Sequence, residues 1–374
     1  MISWLRNAYQ PGSIHYVWGD EITRVVVCCG AIVAAGEPIT IPLLRRLGAI
    51  DMPVHRSSHT TPTPRGGGLP IVIGLMVAVA LIRGAAAVPM GAAVGFFGAL
   101  GFVDDLHGVT ALRRLALQFA GSSGVAALLI MPLHLPPELL AVLTLLTAVW
   151  LMGFINAFNF MDGVNGISAA HALIGGVAYA CFGQWHQDSF LVAMGLAVAI
   201  GGLTFLPWNA VRARVFLGDV GSYALGAALG VLAVIAVIDG LPAEAAFGPL
   251  ALYLADTAWT LQRRVRAGEH WTQGHRSHTY QRWCDAGWTH PEVALVTAAT
   301  TIVVCMLGAV SLTGNLSLRL GCDLAALAVL AAYLGSPALL LHPGVPWRSS
   351  LGELPGAQAQ PSRYREPELQ KEPG

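Results

Sequence analysis

Carboxylates, amides, arginines and histidines are scarce in this chain, and they gather in five short stretches. Asp104 and Asp105 stand side by side at the end of an apolar run, with Arg113, Arg114 and Gln118 just beyond. Adjacent carboxylates beside hydrocarbon cost several kcal/mol to desolvate unless a cation or water meets them. Divalent-metal or proton chemistry is therefore the expectation, against a plain reading as a solvated pair marking a helix end. Asn156, Asn159 and Asp162 recur at three-residue spacing, followed by Asn165 after a glycine. On a continuing helix they share a face and offer the donors and acceptors needed to read a nucleobase or sugar and to support a metal; a capped turn is the alternative. Asp219, in Gly218-Asp-Val-Gly-Ser222, stands at the mouth of another apolar run, where it could simply cap a helix. Its company gives it weight. Asp104, Asp105, Asp162 and Asp219 fall on one predicted membrane face, and four carboxylates gathered there repel one another unless a hard divalent ion sits among them.

Two further stretches supply cations. Asp51 to Gly68 contains His59 and Arg65, with Pro at 53, 62 and 64 and three glycines at its end. The prolines forbid a continuous helix, and the glycines let backbone N–H groups approach phosphate closely; a rigid interfacial turn is the plain reading. His275-Arg276-Ser-His278 lacks a third zinc ligand at suitable spacing, and its arginine neighbours favour an anion. A solvated histidine pair is the alternative for this motif alone. Carboxylates for a metal and cations for phosphate at one boundary suggest Mg²⁺-dependent phosphoryl transfer with a membrane-embedded donor or acceptor.

The elements that must position these groups are set by composition. Of 374 residues, 55% are hydrophobic and 11% charged, which excludes an ordinary soluble globule. Twenty-one basic residues balance twenty-one acidic ones, so no overall field exists to hold nucleic acid. The six cysteines form no C-x-x-C pair or metal spacing. Apolar runs of roughly bilayer length recur from Ile22 to Leu341, and about eleven can be placed, with ten possible. The predicted fold class is thus an all-α polytopic membrane protein whose active site is built from cytoplasmic loops. With the N-terminus outside, seventeen of the Lys and Arg residues fall inside and four outside, as the positive-inside rule requires. The first twenty residues lack the pattern of a removable signal peptide. Residues 1–21 read as an N-terminal periplasmic segment, 22–342 as the membrane-embedded domain and 343–374 as a disordered cytoplasmic tail. An ion-coupled transporter would place polar groups at mid-span and show an internal repeat. Here the aspartates sit at span ends, Glu37 and Asp256 being the mid-span acids, and no repeat is visible.

Taken in order, the five segments resemble the polyprenyl-phosphate N-acetylhexosamine-1-phosphate transferases, the bacterial glycosyltransferase family 4 enzymes. The matching stretches are Arg-Ser-Ser-His59 with Pro-Arg65-Gly-Gly-Gly, Asp104-Asp105 with Arg114 and Gln118, Asn159-x-x-Asp162-Gly-x-Asn165-Gly, Gly218-Asp219-x-Gly-Ser, and His275-Arg-Ser-His278-x-Tyr-Gln. The resemblance implies transfer of a sugar 1-phosphate from a UDP-N-acetylhexosamine to undecaprenyl phosphate, with release of UMP, at the cytoplasmic leaflet of the bacterial inner membrane. It implies Mg²⁺, with Mn²⁺ as a substitute, held by Asp219, Asp104 and Asn159. Asp104 resembles the base or nucleophile, Asp105 its support, and Asp219 the principal metal ligand. Asn159, Asp162 and Asn165 resemble the nucleotide-sugar recognition element, and His275, Arg276 and His278 the phosphate contacts. His59, Arg65 and Arg114 complete the implied substrate contacts, and a homodimer is left open. Members often carry Lys where this chain has Arg114, a change that keeps the cation. The His-Arg-Ser-His-x-Tyr-Gln form departs from the His-rich version of the peptidoglycan-precursor branch, so a simpler UDP-sugar, serving an O-antigen, capsule or other envelope glycan, is expected rather than the muramoyl-pentapeptide.

Overall fold

The computed structural model describes residues 20–52, 61–82, 84–269, 276–313 and 315–340. His59, His275, the N-terminal segment and the C-terminal tail lie outside the described residues. The apolar runs fold as helices: α1 Asp20–Arg46, α2 Leu69–Leu81, α3 Ala87–His107, α4 Ala111–Ile130, α5 Pro137–Met161, α6 Ile167–His186, α7 Ser189–Asn209 and α8 Gly218–Ile238. They continue with α9 Ala243–Phe247, α10 Ala251–Arg266, α11 Thr279–Asp285, α12 His290–Ser311 and α13 Leu316–Leu340. Eight of these helices are long and apolar enough to cross a bilayer, so the chain is a multi-pass, all-α membrane protein.

The apolar run over residues 243–262, one of the eleven read from the sequence, is not one helix. It breaks into α9, a 3₁₀ turn over Gly248–Leu250, and α10, because Pro249 has no N–H to continue the ladder. The proline-rich stretch after α1, read as a turn, contains a two-residue antiparallel pair, with Ile50 opposite Pro64 and Asp51 opposite Thr63. These short strands are β1, Ile50–Asp51, and β2, Thr63–Pro64.

Helix α8 is the most enclosed span, packed against α3 and α5. Between membrane helices there is little hydrophobic gain, so small residues that allow backbones to touch decide who neighbours whom. Gly101 of α3 meets the first turn of α8 so closely that a methyl group there would run into the Asp219 carbonyl. Asp104 and Asp105 lie three and four residues on, over the same helix face. Crossing at Gly101 therefore brings the aspartate pair beside Asp219. Gly68 touches the backbone of Gly221 in the same way, drawing the loop that carries Arg65 over the start of α8.

Candidate active site

The segment entering α8 is fixed by backbone bonds to the glycine stretch before α2. Phe216 N–H donates to the Pro64 carbonyl at 2.8 Å, Gly67 N–H to Phe216 at 2.8 Å, and Gly68 N–H to Leu217 at 2.8 Å. The glycines thus bind their own chain rather than an external phosphate. Gly218 then turns at φ +74, a left-handed conformation that favours glycine. That turn aims the first free N–H groups of α8 at Asp105: Asp219 N–H donates to Oδ1 at 2.9 Å and Val220 N–H to Oδ2 at 2.9 Å. A helix N-terminus favours a carboxylate there.

Asp105 also accepts from Arg65 Nε at 2.5 Å and has no exposed side-chain surface. Both of its oxygens are engaged, so its role here is to fix Arg65 and the first turn of α8. Arg65 Nη2 reaches Asp219 Oδ2 at 3.2 Å. Burial opposes the Arg65 charge, but the Asp219 and Asp105 carboxylates outweigh it and hold the guanidinium above its ordinary range. On the other side, Asn159 Nδ2 donates to Asp219 Oδ1 at 2.8 Å and to Ser222 Oγ at 2.9 Å. Asp219 is the most open of the three carboxylates, with 18% of its side chain exposed against 5% for Asp104.

Asp104 accepts from Val109 N–H at 2.7 Å and from the buried Tyr223 hydroxyl at 2.9 Å, with Arg114 Nη1 at 3.8 Å. Asn156 Nδ2 donates to the buried Gln118 Oε1 at 2.7 Å, tying α5 to α4. Asp162 ends α5, half-buried, and desolvation pushes its carboxyl up to about 8. Asn165 N–H donates to His290 Nδ1 at a long 3.4 Å.

The fifth motif stands apart from this cluster in its contacts. Arg276 Nη2 pairs with Asp285 at 3.2 Å, and His278 Nδ1 lies 3.2 Å from the fully buried Asp256. Asp256 also accepts from Thr260 Oγ1 at 3.1 Å and from Thr279 N–H at 3.1 Å, so it fixes the start of α11. Tyr280 donates to the Phe160 carbonyl at 2.8 Å, docking α11 against the end of α5.

Two residues escaped the sequence reading, and a third was seen without its role. Tyr223 was hidden inside an apolar run, and Asp256 stood out only as a mid-span acid. Asn209 accepts from Gly166 N–H at 2.6 Å and donates to the Val215 carbonyl at 3.0 Å, clamping the third motif to the entry of α8. Its signal was available: a lone amide where an apolar run ends.

The donor set suits a hard cation. The polar groups around Asp219 are the Asn159 amide, the nearby Ser222 hydroxyl and the Arg65 guanidinium, with no sulfur. The expected ring of four carboxylates around one ion is not formed: among the described residues no three His, Cys, Asp or Glu side chains converge on a metal position. Mg²⁺ commonly binds through one or two carboxylates, substrate phosphates and water rather than an all-protein cage, a mode that a single partly open carboxylate such as Asp219 could serve.

Fold and site together define a polytopic membrane protein that gathers carboxylates, an arginine and an amide from separate segments at one end of its helix bundle. The chain belongs to glycosyl transferase family 4, whose family model matches residues 87–237, taking in Asp104, Asp105, Asn159 and Asp219. It is 31% identical to a decaprenyl-phosphate N-acetylglucosaminephosphotransferase of Mycobacterium leprae, over 73% of this chain and 83% of that one. It is 27% identical to a probable undecaprenyl-phosphate N-acetylglucosaminyl 1-phosphate transferase of Bacillus subtilis, over 69% and 76%. A phospho-N-acetylmuramoyl-pentapeptide-transferase of Streptococcus pyogenes is 34% identical, over 34% of this chain and 40% of that one.

Proposed function

We propose that this protein transfers an N-acetylhexosamine 1-phosphate from its UDP-sugar to a polyprenyl phosphate at the cytoplasmic face of the bacterial inner membrane. UMP is released, and the reaction depends on Mg²⁺. The observation that carries the reading is the convergence of Arg65, Asp105, Asn159 and Asp219 from four separate segments onto one point. Relatives with the N-acetylglucosamine names match over most of their length, whereas the muramoyl-pentapeptide relative matches over 40% of its own. That contrast favours the simpler UDP-sugar.

In this reading a lipid phosphate oxygen attacks the phosphorus that bears the sugar, and the bond from that phosphorus to the UMP oxygen breaks. Asp104, fixed by Tyr223 and Val109 N–H, takes the proton of the acceptor phosphate when that phosphate arrives protonated. A covalent aspartyl step is not required, because the acceptor already carries the nucleophilic oxygen. Arg114, beside Asp104, and Arg65 are the cations set to meet phosphate oxygens. Asn159 holds Asp219 in place, and Asp162 and Asn165, in the same motif, are assigned to recognition of the nucleotide-sugar. When bound at Asp219, Mg²⁺ would offset charge on the diphosphate and on the departing UMP.

The test is purified protein in detergent with undecaprenyl phosphate and a panel of radiolabelled UDP-N-acetylhexosamines. Lipid-linked product should form with equimolar UMP, and none should form in excess EDTA. Product that persists without a divalent ion defeats the metal dependence, and failure with every sugar and lipid phosphate defeats the transferase reading.

A further inference from the structure

Arg65 is held at two points that differ in kind. Its Nε donates to Asp105 Oδ1 at 2.5 Å, and Asp105 is wholly enclosed and fixed by two N–H groups of α8. That end is an anchor. Its Nη2 meets Asp219 Oδ2 at 3.2 Å, where the guanidinium side chain is 35% exposed and the carboxylate 18%. This end is open to exchange. Asp219 Oδ1 is already turned to the Asn159 amide, so a divalent ion ligated by Asp219 has Oδ2 as its natural oxygen, and Oδ2 is the one Arg65 holds.

We propose that Arg65 is the protein's own counter-ion to Asp219, and that metal and arginine compete for this one carboxylate oxygen. On metal binding the Nη2 contact breaks while the Nε bond to Asp105 persists, because two cations at contact distance from one oxygen repel each other. The swung guanidinium stays pivoted beside the ion, within reach of a diphosphate oxygen, for which its planar fork is suited. Metal loading and anion binding are thereby coupled through one side chain. The inference rests on Asp219 being the metal ligand in the transferase reading above.

The test uses Mn²⁺ as the probe and full-length protein in detergent without substrate. Bound Mn²⁺ is measured by paramagnetic resonance, and thermal melting is followed in parallel. Arg65→Gln should bind Mn²⁺ about tenfold more tightly than the natural protein. It should also melt lower without metal, with the gap closing at saturating Mn²⁺. Equal or weaker Mn²⁺ binding by the glutamine variant overturns the competition. Asp219→Asn separates the two levels. Mn²⁺ binding that survives this change overturns the ligand assignment itself, whereas binding lost here but unaltered in Arg65→Gln overturns the competition alone. Should the glutamine variant fail to fold, phenylglyoxal labelling of Arg65 in the natural protein, read by peptide mass spectrometry, decides. Labelling should rise several-fold with Mn²⁺, and unchanged or reduced labelling overturns the proposal.

Discussion

Helix α8 carries an acidic site at each end, roughly 30 Å apart at the α-helical rise. At its start Asp219 faces Asp105 with the Arg65 guanidinium between them. Just past its end Asp239 faces Asp188, and among the described residues no arginine or lysine pairs with either. Burial, then the hydrogen bond and charge of Asp188, push the Asp239 carboxyl up to about 9. Asp188 itself is committed to capping α7, accepting from Phe190 N–H at 2.8 Å and Leu191 N–H at 3.0 Å. The same residue type therefore answers crowding in two ways. Where an arginine intervenes, it links the two acids, and one cation can be exchanged for another. Where none does, the Asp239 carboxyl is pushed toward its protonated form, and a protonated acid is a poor metal ligand.

The sharpest way to break this contrast is to neutralise each end in turn. Asp219→Asn should reduce formation of lipid-linked product about a thousandfold or more, the scale of removing a principal electrostatic contact to the reacting group. Asp239→Asn should leave turnover within about twofold, since conservative changes away from the site seldom reach the chemistry. Comparable losses at both ends would show that α8 transmits more than position.

Asp105→Asn tests the anchor. It keeps an oxygen for one α8 N–H group but removes the charge that holds Arg65, so turnover should fall about 10- to 100-fold, the range for residues that orient a metal ligand. Steady-state rates and melting curves on the same preparation check it. A loss of activity with an unchanged melting temperature would favour positioning of Arg65, whereas unchanged activity would leave Asp105 as a helix cap and nothing more.

The difference between the two ends was only half legible in the sequence. Apolar runs of bilayer length gave the helices, because a chain in lipid must satisfy its backbone within each span. The acids of the site end stood out because Asp104, Asp105 and Asp219 interrupt such runs beside glycines. That Asp105 serves α8 and Arg65, while Asp219 remains open, depends on the crossing at Gly101 and the turn at Gly218. No spacing along one strand of sequence encodes a contact between two distant ones. Tyr223 was equally hidden, since a tyrosine in an apolar helix reads as packing until its hydroxyl is seen on Asp104. The break at Pro249 shows the converse limit: hydrophobicity marked a span there, and the missing N–H that interrupts it counted for more.

The smallest expected effect lies at the end of α8 that does no chemistry. Asp239 has an ordinary carboxyl value of 3.8 when unfolded and about 9 when folded. Between those values the native protein binds one proton more than the unfolded chain, so stability falls as pH rises across the window. The contribution is complete below the unfolded value and is lost as pH climbs through the folded one. Asp162, raised to about 8 by burial, acts with the same sign at the other end, so the natural protein should lose melting temperature steadily from mildly acidic to alkaline buffer. Asp239→Asn can donate to Asp188 without titrating. Its melting temperature should therefore decline less steeply over the same interval, with the two curves closest in acid and furthest apart above pH ~9. His186, whose Nε2 lies 2.6 Å from the Asp239 carbonyl, is present in both proteins and cancels in the comparison. Parallel curves across the whole range would mean that the Asp239 carboxyl is not raised, and the distinction drawn between the two ends of α8 would then rest on Arg65 alone.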